Sequence, residues 1–85
     1  MPKVIMYSTL FCPYCVRARM LLDKKGVKFT DIRVDSEPQL REEMMTRAGR
    51  SSVPQIFIDE EHVGGCDDLY DLEFEGELDK KLGLG

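Results

Sequence analysis

The chain has 85 residues, of which 42% are hydrophobic and 33% charged; that is the size and balance of one small globular domain over residues 1–85, too apolar for a disordered chain. The net charge of −4 argues against a nucleic-acid binder, and no apolar run approaches the roughly 20 residues of a membrane span. The early stretch Val4-Ile5-Met6-Tyr7 is too short for a signal-peptide core, so a cytoplasmic protein is expected, in which three cysteines mean redox chemistry, metal or buried thiols rather than a disulfide framework.

Lys3 to Tyr7 reads as a strand buried on both faces, because its apolar residues are consecutive. Ser8 to Phe11 is a loop. Pro13 to about Lys25 reads as a helix, since Pro suits the first helical position, and Gly26 ends it. Val27 to Val34 is a second strand. Ser36-Glu37-Pro38-Gln39 has the spacing of a capping box and opens a helix with Leu40, Met44 and Ala48 on one face, stopped at Gly49. Pro54 to Asp59 is a third strand, Asp59-Glu60-Glu61 a tight turn and His62-Val63-Gly64 a short fourth strand. Gly65 breaks the pattern, and Asp67 and Asp68 open a helix to about Phe74. Gly76 interrupts it, and Glu77 to Leu82 is a last helical turn or two. The order β-α-β-α-β-β-α starts with a parallel, right-handed βαβ unit and ends with a hairpin and a helix. The class is α/β, one mixed four-stranded sheet flanked by three to four helices.

Charge is unevenly spread along these elements. Residues 1–58 hold ten Lys and Arg against six Asp and Glu; residues 59–85 hold two against ten. The first part can therefore carry a positive site, while the acidic remainder reads as a solvated helical face.

Cys12-Pro13-Tyr14-Cys15 falls where the first strand hands over to the first helix. A Cys-x-x-Cys at the head of a helix in a βαβ unit is a strong redox signal. With Cys12 as N-cap, the unpaired N–H groups of Tyr14 and Cys15 point at its sulfur, and the helix dipole adds about half a positive charge. Both favour the nucleophilic thiolate. Cys15, one turn in, is expected to be buried with its thiol toward Cys12, so that a Cys12–Cys15 disulfide opens and closes with little backbone movement. The rival readings are two structural thiols, or a zinc set of Cys12, Cys15, His62 and Cys66. The gap between the pairs is longer than in compact zinc modules and the chain has core enough to fold without metal, so no metal is expected. His62 alone reads as a partly exposed hairpin residue.

Three segments in this order, Cys12-Pro13-Tyr14-Cys15, Val53-Pro54-Gln55-Ile56-Phe57-Ile58 and Gly64-Gly65-Cys66-Asp67-Asp68-Leu69, make the chain resemble the glutaredoxin family over nearly its whole length, in particular its small bacterial dithiol branch. The resemblance implies a thioredoxin fold with sheet order 2-1-3-4 and the third strand antiparallel to the first. Pro54 read alone is equally an edge breaker; the resemblance makes Val53–Pro54 cis, with the Val53 backbone turned outward beside Cys12 for an extended peptide. Gly64-Gly65 permits close approach, and the helix that follows offers free N–H groups at Cys66, Asp67 and Asp68. The aspartates can be plain N-caps. The resemblance gives those N–H groups the γ-glutamyl carboxylate of glutathione and gives an Asp its ammonium.

By the same resemblance Tyr14 borders the cysteine of glutathione, and Arg41, eleven residues before Ser52, meets the glycyl carboxylate. Their plain alternatives are helix-start packing and a solvated helix face. Two departures stand out. Thr9 occupies the place of a common Lys, so it brings no charge to the thiolate or the ligand, and Ser52 replaces the usual Thr while keeping a hydroxyl. Cys66, beside the groove, is more readily a buried thiol than a target of oxidation. Met20, Met44 and Met45 read as core or groove edge.

The implied activity is glutathione-dependent thiol–disulfide exchange. Its partners would be glutathione and glutathionylated or disulfide-bonded proteins, with ribonucleotide reductase a candidate client, acting on a monomer. An iron–sulfur carrier is the second reading, and Pro13 argues against it. A thioredoxin-type reductant is the third; those sites carry a Trp before the cysteines, and this chain has none.

Overall fold

The computed structural model describes residues 2–84. β1 (Val4–Ser8) is buried at every position because alternate side chains enter two different cores. Val4 and Met6 point into one, Ile5 and Tyr7 into the other. β1 runs parallel to β2 (Thr30–Arg33) on one side and antiparallel to β3 (Gln55–Ile58) on the other, with Met6 opposite Asp31 and Ile56. β4 (Glu61–Gly64) completes the order β2-β1-β3-β4, as expected.

α1 (Pro13–Lys24) and α3 (Cys66–Phe74) cover the face holding Met6 and Ile56, and α4 (Leu78–Lys81) closes the end. Leu22, Leu69 and Leu78 are fully buried there, each contributing about 1.5–3 kcal/mol of transfer free energy. α2 (Pro38–Ala48) covers the opposite face, with Met44 against Ile5, Tyr7 and Phe57. The buried Tyr7 hydroxyl donates to Glu43 at 2.6 Å and accepts from Arg47 at 2.8 Å. Arg47 also lies over the Phe57 ring, 4.3 Å from its centroid. This polar tether satisfies a phenol that burial alone would penalise.

At the end of β1 that leads to the cysteines, the Ser8 hydroxyl donates to Asp31 of β2, and Arg19 of α1 holds the other oxygen of that carboxylate at 2.7 Å. Asp31 thus ties β1, β2 and α1 together beside the segment that carries Cys12 and Cys15.

Three expectations are corrected. β2 begins at Thr30, not Val27: the Val27 N–H is used by the Leu22 carbonyl at 3.3 Å, closing α1, while its side chain enters the core. The strand pattern there came from burial without pairing. The Ser36–Gln39 capping box does not form. The residue before a proline is excluded from the helical region, and Glu37 sits at φ −147, ψ 135 as N-cap, with Pro38 first in the helix. Ser36 instead donates to the Arg33 carbonyl at 2.7 Å, and Gln39 to Glu37 at 3.1 Å. The hairpin is also displaced slightly, with β3 starting at Gln55 and β4 at Glu61. Gly49, at φ 70, ends α2 as a left-handed cap. Among the described residues, no helix is long and apolar enough to cross a membrane.

Candidate active site

The loop after β1 delivers Cys12 to the N-cap of α1 with φ −144 and ψ 106, and Pro13 starts the helix. Val16 N–H closes the first helical bond on the Cys12 carbonyl at 3.0 Å. The Cys15 N–H therefore has no helical acceptor and donates to Cys12 Sγ at 3.1 Å. Cys12 is half-buried and Cys15 fully buried. Burial first, and the hydrogen bond from its thiol to Cys12 second, push the Cys15 pKa up to about 12. The Thr9 backbone and the Arg19 charge pull the other way without offsetting this. The two thiols are thus made unequal, with one sulfur at the surface cradled by an N–H and the other held as a neutral donor behind it.

The Val53–Pro54 bond is cis, and the Val53 carbonyl stands 3.8 Å from Cys12 Sγ. From there an open cleft of about 250 Å³ runs along the start of α3. Tyr14, Ser52, Val53, Pro54, Gly65, Cys66, Asp67 and Asp68 line it. Leu69 N–H makes the first helical bond, to the Gly65 carbonyl at 3.0 Å. That leaves the N–H groups of Cys66, Asp67 and Asp68 without helical acceptors at the cleft. Asp68 Oδ2 accepts the Gly65 N–H at 2.8 Å and Arg50 at 3.1 Å, and these contacts hold its carboxyl below the usual carboxylate range. Gly64 has φ +119, and a Cβ there would collide with the Asp68 carboxylate, so this turn requires glycine.

Cys12 and Cys15 adjoin that lining without being part of it, and two residues of the set expected to bind glutathione lie outside it as well. Thr9 meets Cys15 through its backbone. Arg41 donates instead to the Ser51 carbonyl at 3.0 Å, bracing the loop before Ser52. Sequence reasoning missed Arg50, which does line the cleft; its pairing with Asp68, eighteen positions away, leaves no local signature. It also missed the apolar collar around Cys12, where Leu10 and Tyr14 are exposed and Phe11 is 92% exposed.

Cys66 is buried at the first position of α3; burial, then the charge of Asp67, pushes its thiol pKa up. His62 contacts Gln55 Oε1 at 2.7 Å and packs on Phe57 at 4.9 Å between ring centroids. Phe57 belongs to the α2-side core and Cys66 to the other, so the sheet separates the imidazole from the thiols. Among the described residues, no three His, Cys, Asp or Glu side chains gather as a metal site would.

A four-stranded 2-1-3-4 sheet with a Cys-x-x-Cys at the head of α1 opposite a cis-proline loop defines a thiol–disulfide oxidoreductase. The family model for Glutaredoxin matches residues 4–63. Glutaredoxin 3 of Escherichia coli (strain K12) is 52% identical over 82 residues, covering 96% of this chain and 99% of its own. The solution structure of glutaredoxin from Brucella melitensis superposes with a TM-score of 0.87 at 54% identity, covering 100% of this chain and 92% of that one. A crystal structure of a buckwheat glutaredoxin–glutathione complex gives 0.89 at 28% identity, with 96% and 77% covered. The chain belongs to the glutaredoxin family and has the thioredoxin fold.

Proposed function

We propose that residues 1–85 act as one glutathione-dependent oxidoreductase domain that reduces protein–glutathione mixed disulfides and protein disulfides. The observation that carries this reading is that Cys12 Sγ, 3.1 Å from the Cys15 N–H, lies 3.8 Å from the carbonyl of Val53, a residue lining a cleft that ends on free helix N–H groups and an acidic pair. Those N–H groups suit the γ-glutamyl carboxylate and Asp68 suits its ammonium; the buckwheat glutaredoxin–glutathione complex lends the family precedent.

In the monothiol route, the Cys12 thiolate attacks the glutathione sulfur of the mixed disulfide. The S–S bond of the donor breaks, the client leaves as a thiolate and takes up a proton, and Cys12 carries glutathione. A second glutathione thiolate attacks that new bond, releasing oxidised glutathione and the Cys12 thiolate. With a protein disulfide, Cys12 attacks first. Cys15 then gives up its proton and displaces the client, leaving a Cys12–Cys15 disulfide that two glutathiones reduce. The burial of Cys15 makes it a poor first nucleophile and reserves it for this second step. Leu10, Phe11 and Tyr14 offer client polypeptides an apolar contact around Cys12. The setting is cytoplasmic and the active unit a monomer. Glutathione reductase and NADPH regenerate the reductant, and ribonucleotide reductase is a candidate client.

Reduction of a glutathionylated peptide, coupled to glutathione reductase and NADPH, tests the reading. Turnover requiring both glutathione and Cys12, abolished in Cys12→Ser, is the expected result. Absence of turnover by the folded, reduced protein would overturn it.

A further inference from the structure

Gln55 and Ser8 are the polar side chains buried among the described residues, and the mechanism above makes no use of Gln55. It opens β3 opposite Tyr7, and the rest of that strand is apolar. A buried amide has to be satisfied by partners, and Gln55 finds them in two directions. Its Nε2 donates to the Ser52 carbonyl at 3.0 Å and to the Ser52 hydroxyl at 3.3 Å. Its Oε1 meets Nε2 of His62, in β4, at 2.7 Å. A carbonyl only accepts, so the amide nitrogen must be the atom facing Ser52. The amide oxygen then faces His62, which therefore carries its hydrogen on Nε2. The imidazole is itself packed on Phe57. Hydrogen bonds thus run with one sense from hairpin to loop, His62 to Gln55 to Ser52.

The far end of this chain bears on the cleft. The Ser52 carbonyl and the Val53 N–H belong to one planar trans peptide, in which the two groups point in opposite directions. Drawing the carbonyl inward to Gln55 turns the N–H outward, at a residue that lines the cleft. That N–H has no acceptor among the described residues, and the carbonyl of the same Val53 stands 3.8 Å from Cys12 Sγ. Arg41 braces the preceding carbonyl, that of Ser51, and leaves the Ser52–Val53 peptide to Gln55.

We infer that Gln55, held by His62, is a positioning residue for thiol exchange: it fixes the Ser52–Val53 peptide so that the Val53 N–H is aimed at the backbone carbonyl of the cysteine whose sulfur Cys12 attacks. The inference deepens the glutathione reading and rests on it, adding a buried pair that no ligand touches. A donor set in advance spares the substrate the cost of turning the peptide on arrival and holds the reacting sulfur beside Cys12. Without the amide, the Ser52 carbonyl would face an apolar side chain and turn to water, carrying the Val53 N–H away from the cleft. The benefit goes to disulfides whose reacting sulfur sits on a cysteine with a backbone carbonyl. A thiol without that carbonyl gains nothing from it.

The test is single-turnover attack by the reduced protein on mixed disulfides with pyridine-2-thiol. The Cys12 thiolate bonds to the sulfur of the carried thiol, the S–S bond breaks, and pyridine-2-thione leaves and is read by absorbance. The carried thiols are glutathione, 2-mercaptoethanol and a matched pair, γ-glutamylcysteine amide and γ-glutamylcysteamine, which differ only in the carboxamide on the cysteine. In the unaltered protein the carboxamide should speed transfer about fivefold, the size of one net hydrogen bond. Gln55→Met keeps the length of the side chain and removes the amide; His62→Leu, at a half-buried hairpin position, keeps the amide and removes its hold. In each, the ratio of the paired rates should fall below about twofold. A ratio taken within one protein cancels any general loss of Cys12 reactivity or of γ-glutamyl binding, and His62→Leu carries the test alone should Gln55→Met not fold. An undiminished ratio in either folded variant would overturn the inference, as would the absence of a carboxamide advantage in the unaltered protein. Failure of the unaltered protein to prefer the glutathione disulfide over that of 2-mercaptoethanol would overturn the glutathione reading itself and this inference with it.

Discussion

The division of labour between the two thiols can be tested by alkylation, with Cys12→Ser as the perturbation. In the unaltered protein, a Cys15 pKa of about 12 leaves about one molecule in 10,000 as thiolate at pH 8, against roughly a quarter for a free cysteine of pKa ~8.5. That is a deficit of about 2,000-fold. A more basic thiolate is intrinsically more nucleophilic, and a Brønsted slope of about 0.4–0.5 over the 3.5-unit difference returns about 40-fold. Cys15 should therefore react at least about 50-fold more slowly than a free cysteine, before its complete burial slows it further. Cys12→Ser removes the neighbouring sulfur but leaves the desolvation, which is the larger cause. Cys15 should thus stay at least about tenfold slower than a free thiol in the variant. Iodoacetamide labelling against pH, mapped by peptide mass, reads both numbers; the reduced, unaltered protein should gain one adduct, at Cys12. Labelling of Cys15 in Cys12→Ser at the free-cysteine rate at pH 8 would show that burial does not hold its proton, and the ordering of the two nucleophiles would fall with it.

Cys15→Ser should keep deglutathionylation while losing dithiol reduction of protein disulfides; loss of both in coupled assays would contradict the monothiol route. Leu69→Ala, under the cleft and fully buried, should cost roughly 2–5 kcal/mol, seen as a lower urea midpoint at unchanged slope; a cost below about 1 kcal/mol would mean the α3 side of the core is loosely packed. His62 has its pKa lowered, by burial first and the charge of Arg50 second. As pH falls through about 6.5 the unfolded chain takes up that proton before the folded one does, so stability drops toward acid. His62 is the chain's one histidine, and His62→Gln should flatten the dependence of the urea midpoint between pH 5 and 7; an unchanged slope would place that titration elsewhere.

The elements most legible in the sequence are those whose cause is local. Pro13 at the first helical position and Cys12 before it announced the thiol cradle, because capping is settled within four residues. The unbroken apolar runs at Val4-Ile5-Met6-Tyr7 and Ile56-Phe57-Ile58 announced central strands, because burial on both faces leaves no room for polar alternation. Val27 shows the limit: an apolar residue beyond a helix end is drawn to the core whether or not its backbone pairs. Ser36 shows another, where a spacing that fits one motif is displaced by a stronger backbone rule at Glu37-Pro38. In the candidate site, the residues on α3 and the Val53-Pro54 loop were legible from motif and resemblance. Arg50 was not, because its partner Asp68 is brought near only by folding. Arg41 could be placed on a helix face, but which acceptor its long side chain takes, here the Ser51 carbonyl, is a matter of loop geometry.

The two outer strands of the sheet have a consequence for the molecule's dealings with its own kind. β2 and β4 are four residues each; β2 carries Asp31 and Arg33, β4 begins at Glu61, and the β3–β4 register shifts between Ile56 and Phe57. A stacked copy would have to strip water from those charges to gain a handful of backbone bonds, so the flanks are poor templates for fibre growth. The chain can thus show an apolar collar at Cys12 to passing polypeptides while its sheet remains closed to addition at the sides.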